Sequence, residues 1–386
     1  MTVNPESKTD IDRLTRRLLY LLVAVSALSH LPNLWFGFPE IVIRDEVTYA
    51  GAALEMLQKG TFDPGEYRYG NFIHYFYAVV FSLFYYPGLW LGIYEAPEKV
   101  TAWHFYLIAR VLSILCAMAC LVLNFRVGRR LFGPVVALIG CVFLAVNPDF
   151  HIYSEIGKLD IYVVLAGLVA AWLFLNIIDG KDFRRTFRVL GALAGWAMAV
   201  KYSNVALAAS LVPMFFILRK KVGVSSKQLI SMRILMETLL IAGVVFFLFC
   251  PYLLINHAEV KKQFIRQYTT TVQGVHLMAS VLTPLRPWQL LTVHIPGSLG
   301  WFLGVLSVPA WIYGYRLQGV RWVALTLHPL VHYALVNQFK FGFSRELLPL
   351  YPPLCFAAAV ALVKIAGWCK QKENTGLSIS TPVLIG

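Results

Sequence analysis

The sequence predicts an all-α polytopic membrane helix bundle, with interfacial helices in the first outer loop and one broken or re-entrant helix pair. Three observations carry this. Hydrophobic residues make up 58% of the 386 and charged residues 14%, against roughly 25% charged in a soluble globular chain. Apolar runs long enough to cross a bilayer recur along the whole chain. Basic clusters flank those runs, as cytoplasmic loops do. A net charge of +14 would suggest nucleic acid in a soluble protein, but placed in short loops it reports topology, and no nucleic-acid partner is expected. The six cysteines lie mostly inside apolar runs, without CxxC pairs or a disulfide framework, and read as small hydrophobes.

The first element, Leu18 to Phe36, runs nineteen residues without a charge, about the ~20 that a helix needs to cross ~30 Å of hydrocarbon. It is too long for a signal peptide and has no small-residue cleavage site, so it is expected to remain as an anchor behind a cytoplasmic segment, residues 1–17. Asp45 and Glu46 follow it. Between Val47 and Leu57 the apolar residues Val47, Ala50, Leu54 and Leu57 recur at helical spacing, which predicts an amphipathic helix in the interface that holds both carboxylates at headgroup level. Phe72 to Gly92 is long enough to cross, yet His74, Tyr75, Tyr77, Tyr85, Tyr86, Pro87 and Trp90 favour the membrane surface or re-entry.

Further spans are expected at Phe105 to Phe125, Leu131 to Phe150, Ile161 to Ile178, Ile234 to Leu254, Ile295 to Tyr315, Trp322 to Phe339 and Leu347 to Gly367. Leu190 to Leu218 is too long for one span and is interrupted by Lys201, Ser203 and Asn204. Two short half-helices meeting near Lys201 are predicted there, and because non-helical backbone at membrane depth needs a protein or water-filled surround, Lys201 should line a cavity. Ile255 to Gln289 is polar and reads as a loop.

Placing the basic clusters on one side, from Arg13, Arg16 and Arg17 through Arg126, Arg129 and Arg130 to Lys364, Lys370 and Lys372, sets the topology. Residues 18–367 then form one transmembrane domain with outer loops at 37–104, 151–160 and 255–294, and residues 368–386 form a cytoplasmic tail. The outer face collects Asp45, Glu46, Arg68, His151, Glu155, Lys158, Asp160, Lys340, Arg345 and Glu346. A hydrophilic substrate or a lipid headgroup would justify so polar a face. Asp45 and Asp160 are the strongest functional candidates, since each borders a span where an unpaired charge is costly. His328 and His332 have a zinc-ligand spacing, but they lie mid-span around Pro329 with no Glu between them, so packing is expected and no metal site is assigned.

The run RDEVTYAGAALEMLQKGTFDP resembles the first-loop signature of the GT-C superfamily, the polytopic glycosyltransferases that include protein O-mannosyltransferases and bacterial aminoarabinose transferases. Asp45, Glu46, Tyr49 and Gly60 carry the match. ARVLSILCAMACLVLNFRVGRRLFG is similar to the family's Arg-containing span, with Arg110. NPDFHIYSEIGKLDIYVVLAGLVAAWLF resembles its second outer loop, with Ser154 and Asp160. GWAMAVKYSNVAL resembles the paired helices with a Lys at the break, and SRELLPLYPPLCF the last outer loop, with Arg345 before a Leu-Pro run. No single motif is specific; the succession is.

The resemblance implies transfer of a sugar from a polyprenyl or dolichyl monophosphate to an acceptor hydroxyl or amine of a protein, lipid or glycan, on the extracytoplasmic face of a bacterial or archaeal cell membrane. Displacement at the anomeric carbon needs a carboxylate to take the acceptor proton and cations to hold the leaving phosphate. Asp45 is the expected base, with Glu46 orienting the acceptor or supporting it. Lys201 and Arg345 are the first phosphate candidates; Arg68 and Arg110 are second, since either could instead pair with a loop acid. Asp160 would shape the site or bind a metal, so a divalent cation is the one cofactor left open, with His151 and His257 at hand. Tyr49, His74, Ser154 and Lys158 complete the substrate-binding candidates. The family's Lys-Pro-Pro or Tyr-Pro run is replaced here by YRYGNFIHYFY, where Arg68 or His74 would substitute. With no soluble domain after the last span, acceptor recognition is expected from the outer loops, chiefly 255–289. A lipid-linked sugar flippase or transporter, or a non-catalytic membrane subunit of an envelope glycan complex, remains the alternative.

Overall fold

The computed structural model describes residues 5–40, 43–221, 231–271, 286–338 and 344–376, and among these every regular element is helical. Long apolar runs leave no other choice, because a backbone in hydrocarbon must satisfy its own hydrogen bonds. The main helices are α1 (Pro5–Ser29), α2 (residues 44–59, with a π-type turn at Val47–Gly51), α3 (Phe72–Trp90), α4 (Ala102–Phe132), α5 (Pro134–Ala145), α6 (Pro148–Glu155), α7 (Asp160–Ile178), α8 (Phe183–Val200), α9 (Val205–Lys221), α10 (Met232–Phe249), α11 (His257–Thr271), α12 (Trp301–Gln318), α13 (Val320–Val336) and α14 (Tyr351–Gly376). Seven helices are long and apolar enough to span a membrane, or up to nine if each of two bent pairs is one span. The chain is a multi-pass membrane protein.

Ion pairs between distant segments define the two ends of the bundle. At one end Asp12 pairs with Arg129, Asp179 with Arg130 and Arg321, and Glu237 with Arg184 and Arg188. At the other end Asp45, Lys158, Asp160, Lys201, Arg345 and Glu346 meet. Helices α1, α4, α5 with α6, α7, α8, α9, α10, α12, α13 and α14 run alternately between these ends. Helices α7 and α14 pass through the middle, with 67% and 72% of their apolar windows buried, while α1 and α10, at 22%, form the rim.

Helix α3 has the length and composition of a span, and its ring contacts run along one end of the bundle. Its first residue, Phe72, packs on Trp196 and Phe249, Phe76 on Tyr162, and the later residues Phe81 and Tyr85 on Phe105. Trp196 and Phe249 stand at the ends of α8 and α10 nearest the Asp45 cluster, and Tyr162 and Phe105 at the starts of α7 and α4. The helix therefore lies across that end of the bundle, as its aromatic and polar residues suggested.

Several expected boundaries move. The run Leu131 to Phe150 is not one straight helix: Gly133, at φ +86°, ends α4, and after Asn147 caps the next turn α6 departs from α5 at 62°. Ile295 to Tyr315 is likewise bent, by 119° at Gly300, whose φ of +76° suits glycine. Helix α1 begins at Pro5, inside the segment expected to precede the membrane, and α14 continues to Gly376, into the expected tail. Lys340 and residues 272–285 of the large loop fall outside the described residues.

The pair around Lys201 has the expected break but not the expected length. Helices α8 and α9 contain 18 and 17 residues, about 27 and 25 Å at ~1.5 Å per residue, so each crosses most of a bilayer. Ring contacts of Phe183 and Phe187 with Phe215, at 5.8 and 5.5 Å, close the far end of an antiparallel hairpin. Lys201 therefore stands at the hairpin's tip, at the Asp45 end and not at mid-depth.

Candidate active site

Four separate stretches build the site. Asp45 lies in the first turn of α2, where the free backbone N–H groups and the helix dipole favour a carboxylate. The expected apolar face of α2 is partly covered by protein: Ala50 and Leu54 are buried, with Tyr49, Ala53 and Met56 beside them, while Val47 stays 48% exposed. Gly51 lets Tyr106 pack close: a Cβ there would stand 2.6 Å from the Tyr106 hydroxyl oxygen, which would have to shift. Lys158 sits in the short link after α6, and Asp160 opens α7. Lys201 caps α8 in extended conformation, and Arg345 and Glu346 belong to the 3-10 turn Ser344–Leu350 that leads into α14.

Their side chains form a chain of alternating charge. Asp45 Oδ2 accepts from Lys158 Nζ and, at 2.9 Å, from Arg345 Nη1. Lys158 Nζ is also 3.6 Å from Asp160 Oδ2. Lys201 Nζ donates to Asp160 Oδ1 at 2.9 Å and to Glu346 Oε1 at 2.7 Å. Three carboxylates thus face three cations, which is the condition under which charges tolerate burial. The two Asp160 oxygens are each approached by an ammonium group, Oδ1 by Lys201 and Oδ2 by Lys158. One member is open: the Asp45 side chain is 42% exposed, against 2% for Lys158 and 1% for Asp160. Burial acts to raise the Asp45 carboxyl pKa, but the charges of Lys158 and then Arg345 outweigh it and hold it below the usual carboxylate value. Lys158 moves down because its desolvation exceeds the pull of Asp160 and Asp45.

The other candidates lie elsewhere. Glu46 is fully buried and bound by Arg110, at 2.7 Å to Nε and 2.8 Å to Nη2, and by the Gly157 N–H at 3.0 Å. Arg110 also donates to the carbonyls of Leu34 and Phe36, at 2.7 and 2.9 Å. These two side chains occupy each other instead of facing open space. Arg68 grips Glu66 in the same loop. His74 is buried against the Thr48 carbonyl, 3.1 Å from Nε2. Tyr49 is buried below the cluster, its ring 5.4 Å from that of Tyr69. Ser154 donates back to the Phe150 carbonyl within α6. His328 and His332 are buried, with ring centroids 6.0 Å apart. Glu346 was not among the expected site residues; its only sequence signal is its place next to Arg345.

The Dolichyl-phosphate-mannose-protein mannosyltransferase family model matches residues 106–255, and the solved structures extend the likeness over nearly the whole chain. ArnT from Cupriavidus metallidurans bound to undecaprenyl phosphate superposes with a TM-score of 0.62 at 17% identity, covering 93% of this chain and 62% of that one. The chain has the GT-C fold. The Archaeoglobus fulgidus oligosaccharyltransferase AglB, in complex with an inhibitory peptide and a dolichol-phosphate, shares this GT-C arrangement with a TM-score of 0.55 at 13% identity, covering 95% of this chain and 52% of its own. This chain therefore spans about half to three-fifths of the length of those GT-C structures. A comparison with curated proteins finds no match.

Proposed function

We propose that this GT-C chain is a glycosyltransferase that moves a sugar from a polyprenyl monophosphate to an acceptor hydroxyl or amine, with Asp45 as general base. One observation carries the reading: the half-open Asp45 carboxylate is held beside Arg345 and Lys158 at one end of a membrane bundle. Transfer requires a base on the acceptor side and cations on the leaving phosphate side, and these must be within a few ångströms of each other. Arg345, whose guanidinium can grip two phosphate oxygens, is the primary phosphate ligand, with Lys158 beside it. An incoming phosphate would compete with Asp45 for both cations. Their hold on the carboxylate then weakens, its basicity rises, and the proton of the acceptor passes to Asp45 as the bond to the anomeric carbon forms and the lipid phosphate leaves.

Lys201, Asp160 and Glu346 are assigned to fixing Lys158 and Arg345 in place, and Glu46 with Arg110 to fixing the turn that carries Asp45. The acceptor, a protein, lipid or glycan, would approach under the outer loop that includes α11. The basic end of the bundle, with both termini, is assigned to the cytoplasm of a bacterial or archaeal cell, so the Asp45 end faces outward. The undecaprenyl and dolichol phosphates bound by ArnT and AglB support this donor class. A transporter would need its charges near mid-depth, and Lys201 at a hairpin tip does not meet that requirement.

The test is complementation of a deletion strain with wild type and Asp45→Asn, reading envelope glycans and lipid-linked sugars by mass spectrometry. The expected result is a fall in transfer of about 10²–10⁴-fold, the usual contribution of a general base, with normal insertion and accumulation of one lipid-linked monosaccharide. An unchanged lipid-linked pool in the deletion strain would remove the proposal.

A further inference from the structure

A second polar constellation lies near the end of α1 and the start of the α6 to α7 link, away from the Asp45 cluster. His30 Nδ1 and His151 Nε2 each stand 3.0 Å from Glu155 Oε1. The three ligand atoms all lie within 4.8 Å of one another. The imidazoles stack at 4.2 Å with 21° between their planes. Asn33 Nδ2 is also 3.0 Å from Oε1, and 3.0 Å from Oε2.

The two imidazole nitrogens, from the end of α1 and from α6, converge on one carboxylate oxygen, while Asn33 donates to the other. The spacing also suits a metal: ligands at ~2.0–2.1 Å from tetrahedral zinc stand about 3.3 Å apart, close to the two 3.0 Å separations here. His30 is 1% exposed and His151 30%, which gives a fixed inner wall and an open side for water or a fourth ligand.

We propose that His30, His151 and Glu155 bind a zinc ion that clips the end of α1 to α6. Glu155 Oε1 would be the ligand, and Asn33, still holding Oε2, would orient the carboxylate from outside the coordination sphere. The clip would brace a longer connection. His30 and Asn33 bracket the turn Leu31–Asn33; just beyond it the carbonyls of Leu34 and Phe36 receive Arg110, which in turn holds Glu46 beside Asp45.

The test needs no glycosyl transfer, so its outcome is separate from that of the proposed activity. Full-length protein purified without a histidine tag is titrated with Zn²⁺ alone, and bound metal is counted by mass spectrometry after dialysis. Substitution with Co²⁺ reads the coordination geometry in the visible spectrum. One metal per chain is expected, with a tetrahedral cobalt spectrum and a higher melting temperature on loading. Glu155→Gln and His30→Gln should abolish all three, and Asn33→Ala should weaken affinity 10–100-fold. His151→Gln, on the exposed side, serves as the ligand variant least exposed to misfolding, with helical content checked by circular dichroism. Absence of saturable binding in wild type, or zinc content unchanged in folded His151→Gln and Glu155→Gln, would overturn the proposal.

Discussion

At the scale of single residues, the two neighbouring acids Asp45 and Glu46 have opposite surroundings. Glu46 is sealed in with Arg110, and removing one partner of such a pair leaves an uncompensated charge. Arg110→Leu is therefore expected to cost about 3–5 kcal/mol, seen as a large drop in melting temperature in detergent. Asp45 is partly open and keeps an acceptor oxygen on substitution, and buried Lys158 retains Asp160, so Asp45→Asn should lower the melting temperature less than Arg110→Leu does. The depressed Asp45 pKa has a defined sign. Its ionised form contributes stability above the ordinary carboxylate range, and that contribution is lost only as pH falls through the lower folded value. As a base, Asp45 should give an acid limb in kcat/KM below the usual carboxylate range. In Arg345→Gln a cation is lost while burial stays, and the limb should move to higher pH.

At the scale of elements, the closest helix pair is α8 against α10. A Cβ at Gly191 would meet the Thr238 carbonyl oxygen at 2.3 Å, and one at Gly195 the Ala242 carbonyl oxygen at 2.3 Å. The GALAG run thus brings two backbones together as small residues do in membranes. Gly195→Leu is expected to separate the helices at a cost of about 1–3 kcal/mol, measured by thermal unfolding. Since α8 carries Lys201 at its far end, transfer should fall by more than the lost fold accounts for. The length of the apolar runs identified most spans, and the interruption at Lys201 identified the hairpin. Bends at Asn147 and Gly300 were hidden inside apolar runs, because hydropathy averages over a turn that a cap or a positive φ decides locally.

At the scale of the whole molecule, the alternation of helices places the pairs of Asp12, Asp179 and Glu237 at one end and those of Asp45, Asp160 and Glu346 at the other. Native cysteines test the orientation directly: five are buried and Cys369 is exposed, on α14 towards the basic end. An impermeant maleimide should leave wild type unlabelled in intact cells and label it in inverted vesicles. Glu259→Cys, on α11 at the opposite end, should label from outside. Labelling of both from one side would refute the assigned topology.

Composition and charge placement alone determined that this chain spans a membrane many times, and the ordered motifs pointed to Asp45, Asp160, Lys201 and Arg345, because hydrocarbon admits only apolar helices and penalises stray charge. Which charges pair was decided by tertiary structure. Asp45 with Arg345, Glu46 with Arg110 and His30 with Glu155 join residues 300, 64 and 125 positions apart. Electrostatic partnership depends on distance in space, and a sequence records distance only along the chain.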